Sequence, residues 1–260
     1  MPELPEVNTF KQYFDGTSLK KRIMNVNVHD AKIIRNVSGD EFIDHITGRT
    51  FTGSTRRGKY LFGHLDDGNH LLLHFGMTGD LKYYSDISER PKHERFSFDF
   101  DNGDALGFDC PRKFARIVYI TDLDQYIADV GLGADALDIL EEDFLAFAKG
   151  RKMTLKGFLL NQKILAGVGN LYADEICYQT KVTPNSVTGK IPKRKLKEIF
   201  IAMKNILHTA IESAAHYKDY PDDWFWKWRK KDGQSDKGEI IITKVAGRTT
   251  YHVKGWQKKY

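Results

Sequence analysis

Cys110 and Cys177 are the only 2 thiols in 260 residues. Two are too few for a disulfide framework or a four-thiolate zinc site, so neither can staple this fold. Long hydrophobic runs are missing as well. Apolar stretches such as Leu71–Leu73 and Ile240–Ile242 are strand-sized, far short of the roughly 20 residues that span a bilayer. The N-terminus reads MPELPEV, with acids where a signal peptide carries bases and no apolar segment behind them. The expectation is an intracellular, cytoplasmic protein without a membrane anchor. Proline is scarce at 7 residues, whereas 22 glycines punctuate a chain that is 41% apolar and 29% charged. That composition is globular, neither disordered nor fibrous, and the length suits one large domain or two of ordinary size.

Charge is unevenly spread. Residues 1–150 carry 18 basic and 25 acidic side chains, whereas residues 151–260 carry 22 and 10. An acidic first part and a second part with a net charge of +12 suggest different duties, the second facing a polyanion. Aromatic rings interleave with charge in Trp224-Phe225-Trp226-Lys227-Trp228-Arg229. No basic amphipathic helix of the membrane-surface kind is evident, so nucleic acid is favoured over lipid.

Periodicity changes twice along the chain. Val7, Phe10 and Phe14, at spacings of three and four, predict a short helix from residue 3 to about 15, ending at Gly16. Short β-type runs follow at Lys59–Leu65, His70–Phe75, Phe96–Phe100 and Arg116–Ile120, separated by Asp/Asn/Gly turns. They imply a sandwich or barrel. Residues 135–149, 154–162, 170–179 and about 192–216 read as helices, and 224–260 returns to short strands. The expected organisation is α+β, with an N-terminal domain over 1–120 and a connecting segment over 121–135. A helical domain over 136–220 and a C-terminal strand module over 221–260 complete it.

Three segments carry chemistry. Methionine before a small residue is ordinarily removed, which exposes Pro2 as a secondary amine titrating near 7.7–8.0. At neutral pH a useful fraction is nucleophilic, and its attack on an aldehyde-like carbon gives a cationic iminium, an electron sink. Glu3 and Glu6 lie on one side of the first helical turn, so one of them can serve the amine as acid or base. Helix capping also favours proline and acids at such a position. The second segment, Ser54-Thr55-Arg56-Arg57-Gly58-Lys59-Tyr60-Leu61, sets a lysine beside a turn glycine at the start of a β run, although alone it is a charge run. The third, Ala166-Gly167-Val168-Gly169-Asn170, leads two glycines into a helix start, a site suited to phosphate. It is neither a dinucleotide fingerprint nor a P-loop.

Taken together, PELPEV (2–7), RRGKYL (56–61), HFGMTG (74–79), PRKF (111–114), GVGNLYA (167–173) and Gly247-Arg248-Thr249-Thr250 resemble the formamidopyrimidine-DNA glycosylase and endonuclease VIII family. The similarity spans essentially the whole chain. It implies a base-excision repair enzyme with glycosylase and abasic-site lyase activities, acting without cofactor or metal on double-stranded DNA that contains oxidised bases or abasic sites. The implied architecture is an N-terminal catalytic β-sandwich, a helix–two-turn–helix element around 154–179 and a C-terminal β-hairpin finger, in a monomer.

By the same resemblance, Pro2 attacks the sugar anomeric carbon, Glu3 is its acid/base partner, Lys59 assists base loss and elimination, and Glu6 supports them. Met77, Arg112 and Phe114 match the wedge that fills the hole left by an extruded nucleotide. His93, Lys152, Lys156 and Asn170 match phosphate contacts, and Arg248 matches the finger arginine that grips the lesion-flanking phosphates and assists the second elimination.

The tail departs from the family's commonest pattern, which ends in two Cys-x-x-Cys pairs that bind zinc. Here Val253-Lys254-Gly255-Trp256 stands at the second pair and no thiol lies near Ser235–Gly238. A zincless hairpin is expected, packed by Trp226, Trp228, Ile241, Val253 and Trp256. The segment at about 217–224 is short for the loop that covers 8-oxoguanine in the formamidopyrimidine branch, so ring-opened purines or oxidised pyrimidines are the better-fitting substrates. A non-catalytic binder of distorted DNA is the competing class; an N-terminal-proline tautomerase fits the length and charge poorly.

Overall fold

The computed structural model describes residues 2–230 and 233–260. Met1, whose removal the proline chemistry requires, lies outside the described residues. The chain divides into two compact units, one up to Val130 and one from Gly131 onward.

The first unit opens with α1 (Leu4–Ser18). Glu3 caps it reciprocally: its carboxylate accepts from the Glu6 N–H, and the Glu6 carboxylate accepts from the Glu3 N–H at 2.8 Å. This capping box, with Pro5 in the first turn where no N–H is needed, fixes where the helix begins. The helix runs past Gly16, and Leu4, Val7 and Phe14 form its buried side. The strands are β1 (Ile23–Val28), β2 (Phe51–Arg57), β3 (Tyr60–Leu65), β4 (His70–His74), β5 (Asp80–Tyr84), β6 (Glu94–Phe100), β7 (Ala105–Asp109) and β8 (Arg116–Ile120). They form two antiparallel four-stranded sheets, ordered β2-β3-β4-β8 and β1-β6-β7-β5. Phenylalanines fill the core: Phe14, Phe42, Phe51, Phe96, Phe98 and Phe108 are almost wholly excluded from solvent. Each such ring contributes about 1.5–3 kcal/mol of burial.

Two further helices complete this unit. α2 (Gly39–Ile46) starts at a Ser38/Glu41 capping box and buries Phe42 and Ile46. α3 (Leu123–Val130) occupies much of the stretch expected to be a connector.

The second unit contains a parallel pair of two-residue strands, β9 (Ala134–Asp135) and β10 (Leu165–Ala166). Its helices are α4 (Glu141–Ala148), α5 (Leu155–Leu160), α6 (Asn170–Gln179) and α7 (Lys193–Glu212). The connection between α5 and α6 is organised by Gln162, whose amide donates to the Leu160 and Val168 carbonyls and whose oxygen accepts from the Gly167 N–H. α7 buries Leu196, Ile199, Met203, Ile206, Leu207 and Ala210, a helical-period stripe. The chain ends in β11 (Gln234–Ser235), β12 (Gly238–Val245) and β13 (Arg248–Val253), an antiparallel sheet in that order. Val245 pairs with Arg248 across the two-residue turn Ala246-Gly247, both at positive φ. That is the type I′ geometry favoured in hairpins.

The hairpin core differs from the expectation in one register step. Ile240, not Ile241, joins Tyr178, Phe225 and Val253 in the buried cluster, with Trp228, Tyr251 and Trp256 against it. Three consecutive isoleucines give period-two reasoning no phase, so the inward face cannot be read from them. Trp226 packs elsewhere, against Tyr217 and Tyr220.

Candidate active site and DNA-contact residues

In the first unit, α1 packs against β2 and β3. The Asp15 carboxylate accepts from the Ser54 hydroxyl near the helix end, and Phe10 stacks on Phe75 at 4.1 Å between ring centres. The helix therefore runs up β2, and its start is carried to the end of the sandwich where β2 turns into β3. Pro2 there is partly exposed, whereas Glu3 is only 4% exposed. The turn pairs Arg57 with Tyr60 and has Gly58 at φ +57°, so Lys59 sits at its tip. Glycine at the first central position is what a two-residue type II′ hairpin turn requires. Lys59 is only 8% exposed, an unusual degree of burial for an ammonium side chain.

At the same end, residues 75–79 and 111–114 form two touching loops. Met77 and Phe114 are among the most exposed apolar side chains of the protein, at 41% and 53%. The Arg112 guanidinium lies 5.2 Å from the Phe114 ring centre, and the Arg112 N–H donates to the Thr78 hydroxyl at 3.4 Å. The loops meet through Gly76, at φ +60°: a Cβ there would stand 2.3 Å from the Phe114 carbonyl oxygen. So the expected wedge trio is brought together. His93 is adjacent, with its N–H on the Asp109 carboxylate and its carbonyl accepting from the Cys110 N–H, just before loop 111–114.

His74 supports this arrangement structurally. Its Nδ1 accepts from the Gly76 N–H at 3.2 Å, and its ring meets Tyr60 edge-on. Burial, reinforced by the Arg116 and Lys59 charges, lowers its pKa from 6.5 to about 4. The imidazole is thus neutral at physiological pH, with the proton on Nε2, and remains the acceptor that fixes the turn bearing Met77.

In the second unit, Asn170 opens α6 behind Gly169. Its Nδ2 donates to the Thr249 carbonyl at 3.2 Å, and its Oδ1 is buried with no partner. Arg248 projects into solvent at the start of β13, and Lys152 is exposed just before α5.

Lys156 is the correction. Expected to touch phosphate, it is 0% exposed, and all three ammonium protons are used internally. They go to the Asp174 carboxylate at 2.6 Å, the Thr250 hydroxyl at 2.9 Å and the Thr249 carbonyl at 3.3 Å. Burial draws its pKa down and pushes that of Asp174 up.

The donor set does not fit zinc. In the hairpin His252 is the only Cys or His side chain, and structural zinc sites are built from four such residues. Cys177 is buried in α6, where burial pushes its thiol pKa up, and Cys110 belongs to the first unit. Among the described residues no group of three or more His, Cys, Asp or Glu side chains can hold a metal ion. Among them, too, no helix is long and apolar enough to cross a membrane.

Residues 1–117 match the formamidopyrimidine-DNA glycosylase N-terminal domain, and residues 132–219 match the formamidopyrimidine-DNA glycosylase H2TH domain. The chain is 33% identical over 270 residues to formamidopyrimidine-DNA glycosylase of Carboxydothermus hydrogenoformans, covering 99% of this chain and 100% of that protein. It belongs to the formamidopyrimidine-DNA glycosylase family. The Arabidopsis thaliana formamidopyrimidine-DNA glycosylase is 30% identical over 279 residues, spanning 100% of this chain and 72% of its own length. Among solved structures, Lactococcus lactis formamidopyrimidine-DNA glycosylase, bound non-covalently to DNA containing an AP site, superposes with a TM-score of 0.90. That pair shares 26% identity over 99% of this chain and 100% of the other. The family's α+β architecture is therefore present in full: the sandwich, the helix–two-turn–helix element and the C-terminal hairpin.

Proposed function

We propose that this chain is a DNA glycosylase and abasic-site lyase of base-excision repair, with Pro2 as its nucleophile. The observation that carries the reading is the grouping at one end of the sandwich. Pro2, which removal of Met1 would expose as a secondary amine, precedes the buried helix-capping Glu3, and Lys59 stands at the adjoining turn beside the exposed Met77, Arg112 and Phe114.

In this reading the target nucleotide leaves the stack, Met77 and Phe114 fill the gap, and Arg112 hydrogen-bonds the orphaned base. The unprotonated Pro2 nitrogen attacks C1′ of the sugar, and the glycosidic bond breaks. The base departs with the electron pair and takes up a proton, with Glu3 and Lys59 as the proton-handling groups. The amine gives its proton to Glu3, which returns it to O4′ as the C1′–O4′ bond breaks and the sugar ring opens. The resulting iminium acidifies C2′. Loss of the C2′ proton expels the 3′ phosphate, and a second elimination expels the 5′ phosphate, assisted by Arg248. Water then hydrolyses the iminium and frees Pro2. His93, Lys152 and Asn170 grip the backbone, which supplies affinity without sequence preference.

Ring-opened purines and abasic sites are the favoured substrates. The 217–228 stretch is drawn in on itself instead of forming an extended cover: Tyr220 lies 4.7 Å from Trp224 between ring centres, and its hydroxyl is 2.6 Å from that of Tyr172. Related solved structures hold DNA containing Fapy-dG and DNA containing an abasic site. A panel of duplexes with one defined lesion each, scored for base release and nicking, tests this. Release from the ring-opened purine should exceed release from 8-oxoguanine and vanish in Glu3→Gln. Binding to every duplex with no release from any would leave the non-catalytic reading standing.

A further inference from the structure

The second unit fastens its finger without thiolates. Asp174, 0% exposed, takes Lys156 on one carboxylate oxygen at 2.6 Å and the Arg229 Nε on the other at 2.8 Å. The same second oxygen accepts from the Tyr251 N–H at 3.3 Å, and the Arg229 guanidinium lies 4.7 Å from the Tyr251 ring centre. Lys156 reaches the next two residues back, the Thr250 hydroxyl and the Thr249 carbonyl. The Thr250 hydroxyl in turn donates to the Arg248 carbonyl at 2.9 Å. Four consecutive residues, Arg248 to Tyr251, are thereby tied to one buried ion cluster rooted on α5 and α6.

We propose that the Lys156–Asp174–Arg229 cluster does for this hairpin what a tetrathiolate zinc does in the family's commonest finger, holding Arg248 in position for its phosphate. The three are positioning residues: they act through Arg248 and do not touch DNA. A guanidinium keeps its charge at any accessible pH, so Arg229 compensates Asp174 where a metal would have compensated thiolates. Buried ion clusters contribute a fixed geometry more dependably than net stability, and a fixed geometry is what a phosphate-gripping arginine needs. The role given to Arg248 rests on the function proposed above; the fastening itself does not.

The test uses the full-length protein, with Arg229→Gln as the main variant. Arg229 is the outermost member, its side chain 17% exposed, and its loss leaves the Lys156–Asp174 pair intact, so the unit still folds. Hydrogen exchange of the 248–253 amides is expected to accelerate about tenfold, while those of β3 and β4 hold their rates. Lys156→Met should do the same, and Arg229→Lys should retain most of the protection. Affinity for a duplex carrying a tetrahydrofuran abasic analogue should fall about tenfold in Arg229→Gln, but scarcely at all when Arg248 is already alanine. Unchanged exchange in both Arg229→Gln and Lys156→Met overturns the fastening. Additive losses in the Arg229→Gln/Arg248→Ala pair overturn its action through Arg248. Wild-type protein that ignores the abasic duplex refutes the functional reading alone, because exchange still decides the clamp.

Discussion

Replacing Gly76 by alanine attacks the wedge platform at its tightest point. The residue sits at φ +60°, and a Cβ would lie 2.3 Å from the Phe114 oxygen, 2.4 Å from its carbonyl carbon and 2.7 Å from the Ala115 nitrogen. All three are backbone atoms, so no side chain can swing aside. The left-handed backbone costs a residue with a Cβ about 1 kcal/mol, and forced separation of packed segments adds about 1–3 kcal/mol, giving roughly 2–4 kcal/mol in all. Gly68→Ala is the matched control: its φ is +84° in the same unit, but nothing lies within 4 Å of the new atom. It should lose only the backbone share, about 1 kcal/mol. Urea titration of the full-length proteins compares them directly. Function should separate as well. Opening the two loops impairs extrusion of a stacked base more than capture of a ready-made abasic site, so Gly76→Ala should lose more base release than abasic-site nicking. Equal destabilisation by the two substitutions would refute the reasoning.

The remaining predictions concern pH, the finger turn and metal. In the unfolded chain His74 takes a proton below about 6.5, but in the folded protein only below about 4. Its contribution is therefore complete above pH 6.5 and lost as pH falls toward 4, by on the order of 3 kcal/mol. His74→Phe should flatten the stability-versus-pH curve across that window, while base release becomes slower through the loosened 75–79 turn. Ala246 occupies a left-handed position that alanine disfavours. Ala246→Asn, creating Asn-Gly at the type I′ turn, should stabilise the second unit by about 0.5–1 kcal/mol in urea titration, without loss of DNA affinity. Exhaustive chelation should leave lesion cleavage unchanged within about twofold, because the finger lacks the ligands through which metal loss unfolds such modules.

Much of the architecture was legible because its signals are local. The β runs at residues 59–65, 70–75, 96–100 and 116–120 are separated by Asn/Asp/Gly turns at 67–69, 78–80 and 101–104, and each overlaps an observed strand. Two omissions also had local signals. Ser38-Gly-Asp-Glu41 is a capping box followed by Phe42 and Ile46 at helical spacing, and it announces α2. Asp122, whose carboxylate accepts from the Gln125 N–H, does the same for the start of α3. What the residues could not reveal was long-range. Lys156 looks like any basic residue after a helix cap until Asp174 and Arg229, 18 and 73 positions away, are folded against it. The support that His74 gives Met77 likewise depends on the backbone folding back at Gly76, which no spacing rule encodes. The wedge trio was legible only through family resemblance, since Arg112 lies 35 positions beyond Met77.

The Pro2 nitrogen is the atom on which the proposed chemistry turns. Wild-type protein mixed with abasic-site duplex and reduced with borohydride, then digested and mapped by mass spectrometry, reports which atom bonded to the sugar. The predicted result is a stable adduct on the N-terminal peptide at Pro2, absent when Met1 is retained by mutation of the processing site. An adduct carried instead by Lys59, or no adduct under conditions in which the DNA is nicked, would contradict it.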